Sequence, residues 1–185
     1  MIKNLSLLAV CLLHLSLSYG QFQPLKSFIP LNFTLLDSAS GDINLDGVPD
    51  LVLILRDTVE KYNPDTTRPL LLLQGNGKGL YKLIARNDSV VLCLNCGGIH
   101  GDPYDGITIK KGYFSIEHMG GSSWRWTRII TFKYDLKHKI FVLHRDAGYS
   151  WWTLERGHES DIIISKEDFD KLPFEHYRYE KQGVR

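Results

Sequence analysis

Neither sign of charge predominates in this chain: 22 Lys and Arg stand against 21 Asp and Glu. Binders of nucleic acid or of anionic membranes carry a basic excess, so the balance argues against both classes. Long apolar runs are missing beyond Leu17, whereas a bilayer span needs about 20 such residues, so no transmembrane segment is expected in the mature chain. Cysteine is scarce, with three residues in all. No second Cys-x-x-Cys pair accompanies Cys93 and Cys96 to complete a four-ligand zinc site. Sustained helical periodicity is also missing, as is the Gly-x-Ser-x-Gly elbow of a serine hydrolase. No linker-like stretch divides the chain.

The N-terminus, by contrast, reads as an export signal. Lys3 precedes an apolar run from Leu5 to Leu17, and Ser18 and Gly20 occupy the −3 and −1 positions of a cleavage site. The pattern predicts cleavage between Gly20 and Gln21, a periplasmic or extracellular location, and a single β-rich domain over 21–185. Cys11 follows Val10 inside the apolar run, which argues against lipidation. Removal of Lys3 leaves 21 charges of each sign.

In an oxidising compartment Cys93 and Cys96 predict a disulfide, which across so short a loop stiffens a turn more than it stabilises a fold. Two other readings stay open. Zinc would take His100 as a third ligand, and a redox pair would need a helix at Cys93 to lower its pKa. Here the pair follows the strand-like Ser89–Leu92 and runs into Gly97 and Gly98.

Short strand-like segments recur with turn residues between them, the pattern of an all-β protein. Leu51–Leu55 and Leu70–Leu73 read as buried strands, and Gly75–Gly79 as a turn into Leu80–Ile84. That glycine-rich turn lacks the Gly-Lys-Ser/Thr ending of a phosphate loop. Val90–Leu92 adds a further strand. Ile107–Ile109 and Tyr113–Ile116 flank a Lys110-Lys111-Gly112 turn. From Trp124 to Tyr134 the alternation puts Trp124, Trp126, Ile130, Phe132 and Tyr134 on one face, expected to meet the core. The Asp135–Lys139 turn then leads into Ile140–Leu143. Ser165-Lys166-Glu167-Asp168 reads as a helix start, predicting a short C-terminal helix ending before Pro173. The expected architecture is therefore all-β, mainly an antiparallel sheet or sandwich, with that one helix.

The most informative segment is Asp42-Ile43-Asn44-Leu45-Asp46-Gly47-Val48-Pro49-Asp50. Oxygen-bearing side chains fall at positions 1, 3, 5 and 9, and Gly47 at position 6 allows a sharp turn. Calcium takes six to eight oxygen ligands at about 2.3–2.6 Å, which such a loop supplies. The expected ligands are Asp42, Asn44, Asp46, the carbonyl of Val48, and Asp50. An EF-hand is disfavoured because position 12 is Leu53 and not glutamate.

With the strand that follows, Gly41–Leu53 resembles an FG-GAP or VCBS-type repeat of integrin-like β-propeller blades. Leu70–Leu73 and Gly75–Tyr81 resemble the later part of such a blade, so the resemblance covers roughly residues 30–85. It implies a blade-like calcium loop with Asp42, Asn44, Asp46 and Asp50 as side-chain ligands. A propeller needs about four to eight blades, and the mature chain has one copy of the motif, so a complete propeller is not expected. The segments Cys93–Gly98, Gly101–Pro103 and Gly120–Trp126 also resemble those of small exported bacterial proteins, a likeness that carries no activity.

A closed loop of this kind saturates its ion, whereas catalysis needs open positions, so the calcium is expected to be structural. The functional expectation is an exported, non-catalytic domain that binds a protein or a glycan. The stretch Tyr149-Ser150-Trp151-Trp152 offers aromatic surface for that role. A hydrolase alternative draws on His100, Asp102 and Asp105 as proton-transfer groups. An inhibitor or immunity protein is the third reading. His118 shares a strand face with Phe114 and Ile116 and is expected to be packed and hydrogen-bonded.

Overall fold

The computed structural model describes residues 21–154 and 172–179, together with the backbone of 159–163. Two five-stranded antiparallel sheets make up the fold. The first has the order β1-β5-β4-β3-β2, built from β1 (Gln23–Pro24), β2 (Phe33–Gly41), β3 (Asp50–Asp57), β4 (Arg68–Gly75) and β5 (Leu80–Val91). The second is a meander of order β10-β9-β8-β7-β6. Its strands are β6 (Tyr104–Lys110), β7 (Tyr113–Gly121), β8 (Trp124–Asp135), β9 (Ile140–Trp152) and β10 (Glu159–Ile163). The all-β expectation holds. The segments expected as separate strands at Leu80–Ile84 and Val90–Leu92 instead form one long β5, irregular in its register with β4. The short helix expected from Ser165 lies outside the described residues up to Leu172.

One core cluster draws side chains from both sheets. Val52, Ile54, Leu70 and Leu72 of the first meet Phe114, Ile116, Ile130 and Phe132 of the second, with Phe174 and Tyr177 added from the C-terminal segment. Phe114 stacks on Phe132 at 5.2 Å between ring centroids, and Phe174 presents its edge to both.

A second cluster explains why β3 and β4 read as unbroken apolar runs. Leu51, Leu53, Leu55, Leu71 and Leu73 point away from the main core, and Leu25, Phe28, Ile29 and Phe33 pack over them. The N-terminal segment thus covers the outer face of these strands, so both faces are apolar and the usual alternation is lost. The register Leu51↔Leu73, Val52↔Leu72, Leu53↔Leu71 matches like faces across the pair.

In the second sheet β7 and β8 alternate, since their outer face is open, whereas β9 breaks step around Phe141–Arg145. Along β8, Arg128, Ile130 and Phe132 are buried while Ile129 is 44% exposed. Trp124 departs from the expected core role, being 40% exposed and edge-on to Trp152. Trp126 is half-buried. The β8–β9 pair runs beyond the apolar cluster, and at that end the inward face has less to pack against.

Two buried arginines replace what would otherwise be apolar core. Arg128 binds Asp146 on β9 through Nε and Nη2, each at 2.6 Å, and its guanidinium lies 3.9 Å from the centroid of the Tyr179 ring. Tyr177 donates its hydroxyl to the same Asp146 at 2.7 Å. Arg68 binds Glu60 through Nε and forks onto Asp102 at 2.6 and 2.7 Å. His118 is buried, and its Nε2 accepts the Leu92 N–H at 3.3 Å. Burial, then the charges of Arg128 and Arg68, push its pKa down to about 3.

Removing one member of a buried pair strands the other charge. Asp146→Ala is therefore expected to lower stability by about 3–5 kcal/mol in urea unfolding, and Arg128→Met/Asp146→Leu by clearly less. For His118 the depressed pKa means that the unfolded chain binds more protons between about pH 3 and pH 6.5. Its contribution to stability is complete above pH 6.5 and declines as pH falls from there towards about 3. The acid limb of a stability-versus-pH curve should be shallower for His118→Gln.

Candidate functional site

The loop between β2 and β3 is built around Asp50, whose side chain has no exposed surface. Its Oδ2 accepts the backbone N–H groups of Ile43 and Asn44, both at 3.2 Å, and its Oδ1 accepts that of Gly75 at 3.1 Å. The last bond ties the loop to the end of β4. The backbone itself turns sharply, with φ of +65° at Leu45 and +84° at Gly47.

The other acidic positions are held by the loop's own amides. Asp42 Oδ2 accepts Gly47 N–H at 3.2 Å, Asn44 Oδ1 accepts Asp46 N–H at 2.9 Å, and Asp46 Oδ1 accepts Val48 N–H at 2.8 Å. In Asp42 and Asp46 the bond fixes one oxygen and leaves the other to look elsewhere, whereas in Asn44 it takes up the only side-chain oxygen and turns Nδ2 towards the carboxylates. Asn44 Nδ2 lies 3.0 Å from Asp46 Oδ2 and 3.5 Å from Asp50 Oδ1, so an electropositive amide group bridges the two carboxylates. Asp42 Oδ1 is buried and has no hydrogen-bond partner among the described residues.

Charge and burial conflict at this place. Burial pushes the Asp50 carboxyl up to about 6, and the Asp46 charge pushes the same way against the backbone hydrogen bonds. Asp46 goes the other way: burial opposes ionisation, but hydrogen bonds from Gln74, Val48 and Asn44 outweigh it and hold the carboxyl below its ordinary range. A cation would relieve both the raised Asp50 and the orphaned Asp42 oxygen. Among the described residues no group of three or more His, Cys, Asp or Glu side chains is placed to hold a metal ion, and the Asn44 amide nitrogen lies between Asp46 and Asp50. Turning the Asn44 amide over would cost Oδ1 its bond from the Asp46 N–H and make the side-chain set all oxygen, which suits a hard cation.

The loop also joins the sheets. Ile43 is fully buried in the shared core, and Gly112 at the β6–β7 turn donates its N–H to the Asp42 carbonyl at 3.0 Å. The Leu45 side chain packs on Gly112, where a Cβ would sit 3.0 Å from it.

Cys93 and Cys96 form a disulfide, with Cα atoms 5.1 Å apart. The proposed acid–base trio beyond it is divided. Asp102 is spent on Arg68 and on the Tyr104 N–H, His100 Nδ1 meets the Arg125 guanidinium at 2.7 Å, and Asp105 is exposed on β6. Tyr149 and Trp151 stack with ring centroids 5.0 Å apart and share a face of β9, while Trp152 faces the other way against Trp124. The buried ion pairs escaped the sequence reading. For Arg128 the signal was present, as it sits at a core position of the β8 alternation; for Arg68 it was absent, since Asp102 lies 34 residues away.

Comparison of the chain with models of protein families, with curated proteins and with solved structures found no match in any of the three.

The Asp50 side chain carries structure whether or not a cation is present. Asp50→Leu leaves three backbone donors without their acceptor, each worth about 1–3 kcal/mol when buried and unsatisfied. The variant is expected to melt well below the parent even in excess chelator. Thermal unfolding followed by circular dichroism reads this directly.

Proposed function

We propose that this protein is an exported, non-catalytic binding domain built on a single FG-GAP-like repeat, with one calcium ion as a structural element. The observation that carries the reading is the buried Asp42 Oδ1 without a partner, beside two carboxylates bridged by an amide nitrogen. Asp42, Asn44, Asp46 and Asp50 would hold the ion together with the Val48 carbonyl. Bound calcium supplies positive charge that offsets the buried carboxylates. The protein's own contribution is to preset the loop: five backbone N–H groups already orient Asp42, Asp46 and Asp50.

Recognition of a protein or glycan falls to the second sheet, whose outer face no other element of the described residues covers. Its exposed aromatic residues Tyr113 and Tyr149 lie there, the latter stacked on Trp151. The hydrolase reading loses ground because Asp102 is committed to Arg68 and His100 to Arg125. One observation favours an inhibitor or immunity role instead: Ile99, 90% exposed, stands on the Gly98–His100 turn that follows the disulfide.

Calorimetric titration of the mature protein with Ca²⁺ should give one saturable site that Asp46→Ala removes. Equal heats for parent and variant, or none for the parent, would overturn the calcium reading.

A further inference from the structure

The outer face of the second sheet contains a groove of about 450 Å³ that the sequence did not announce. That volume lies within the roughly 300–1,000 Å³ range of small-molecule sites. Its origin is a register slip between β8 and β9. Thr131 pairs with Arg145, but its neighbour Phe132 pairs with Leu143, so His144 has no cross-strand partner. Such a bulge re-aims side chains, and here two consecutive residues, His144 and Arg145, are both exposed and both line the groove.

The walls combine three kinds of chemistry. The Tyr113 ring, 38% exposed, stands edge-on to His144 with centroids 5.2 Å apart and offers a face for stacking. Hydroxyls run across the floor: Ser115 and Thr131 bond each other at 2.9 Å, and Thr108 donates to Glu117 Oε1 at 2.7 Å. Cationic groups close the rim, since Lys110 and Arg145 line the groove and neither has an acidic partner among the described residues.

We infer that this groove binds an acidic saccharide, a uronate-bearing oligosaccharide, through Arg145, Lys110 and Tyr113. Arginine matches a carboxylate with paired N–H donors. An aromatic face accepts the apolar side of a sugar ring. Glu117 and the hydroxyl floor answer the sugar's own hydroxyls, which a bare anion site would not need. The unbalanced cations select an acidic ligand over a neutral one, and the exposed Ile129 and Tyr113 add apolar surface on which the C–H face of a sugar ring can rest. The inference names the ligand class for the binding role proposed above and rests on that role, but not on calcium.

The test is calorimetric titration of the mature protein with tetragalacturonate, with neutral cellotetraose, sodium acetate and an oligoglutamate peptide as comparison ligands. Only the acidic tetrasaccharide is expected to bind with appreciable affinity. Arg145→Gln and Tyr113→Ala should each weaken it by about tenfold or more, the equivalent of one charge-assisted or stacking contact. Arg86→Gln, at an exposed cation on the other sheet that is paired with Asp88, should leave it unchanged. Absence of binding, equal binding of cellotetraose, tighter binding of acetate or the peptide, or indifference to Arg145→Gln each overturns the inference. Titrations run with Ca²⁺ and with chelator separate the two readings. Saccharide binding without a calcium response sinks the metal alone, and a calcium response without saccharide binding sinks the groove alone.

Discussion

A carboxylate with no exposed surface ends the β2–β3 loop, and much of the molecule is arranged around it. Asp50 gathers the N–H groups of Ile43 and Asn44 from its own loop and that of Gly75 from the end of β4. A buried anion needs several donors, and meeting that need bends the chain so that Ile43 enters the core shared by both sheets. From there the Asp42 carbonyl reaches Gly112 on the second sheet. One residue's solvation requirement therefore fixes the geometry of the acidic loop and its dock onto the β6–β7 turn.

The same logic recurs in the core at larger cost. Arg68 and Arg128 are buried, and each has its carboxylate partner on a different element. Buried pairs add little net stability over apolar residues of like volume but penalise any arrangement that separates them. Here they tie β4 to the segment before β6, and β8 to β9 and the C-terminal Tyr177. His118 stays neutral first because it is buried, and the two positive charges beside it add to the effect.

Much of this was legible in the chain. Apolar runs at Leu51–Leu55 and Leu70–Leu73 identified the buried strands, and the β8 alternation identified its core face. The acidic spacing from Asp42 to Asp50 located the loop. What could not be read were facts of register and long range. Sequence alone does not say that the segment around Leu25 and Phe28 folds back over β3 and β4, nor that Asp102 meets Arg68. Trp124 was read as core because alternation gives a face, whereas burial depends on where the partner sheet ends. The groove depends on a one-residue bulge at His144, and a bulge leaves no pattern in a polar stretch.

The central proposal is that the loop holds a cation among Asp42, Asn44, Asp46 and Asp50, where the Asn44 amide nitrogen now lies between two carboxylates. Crystals grown in Ca²⁺ and measured at a wavelength where calcium scatters anomalously test it most directly. The account predicts one strong peak among Asp42, Asn44, Asp46 and Asp50, with six to eight oxygen atoms at about 2.3–2.6 Å. A featureless map at that place, with the Asn44 nitrogen still bonded to both carboxylates, would contradict it.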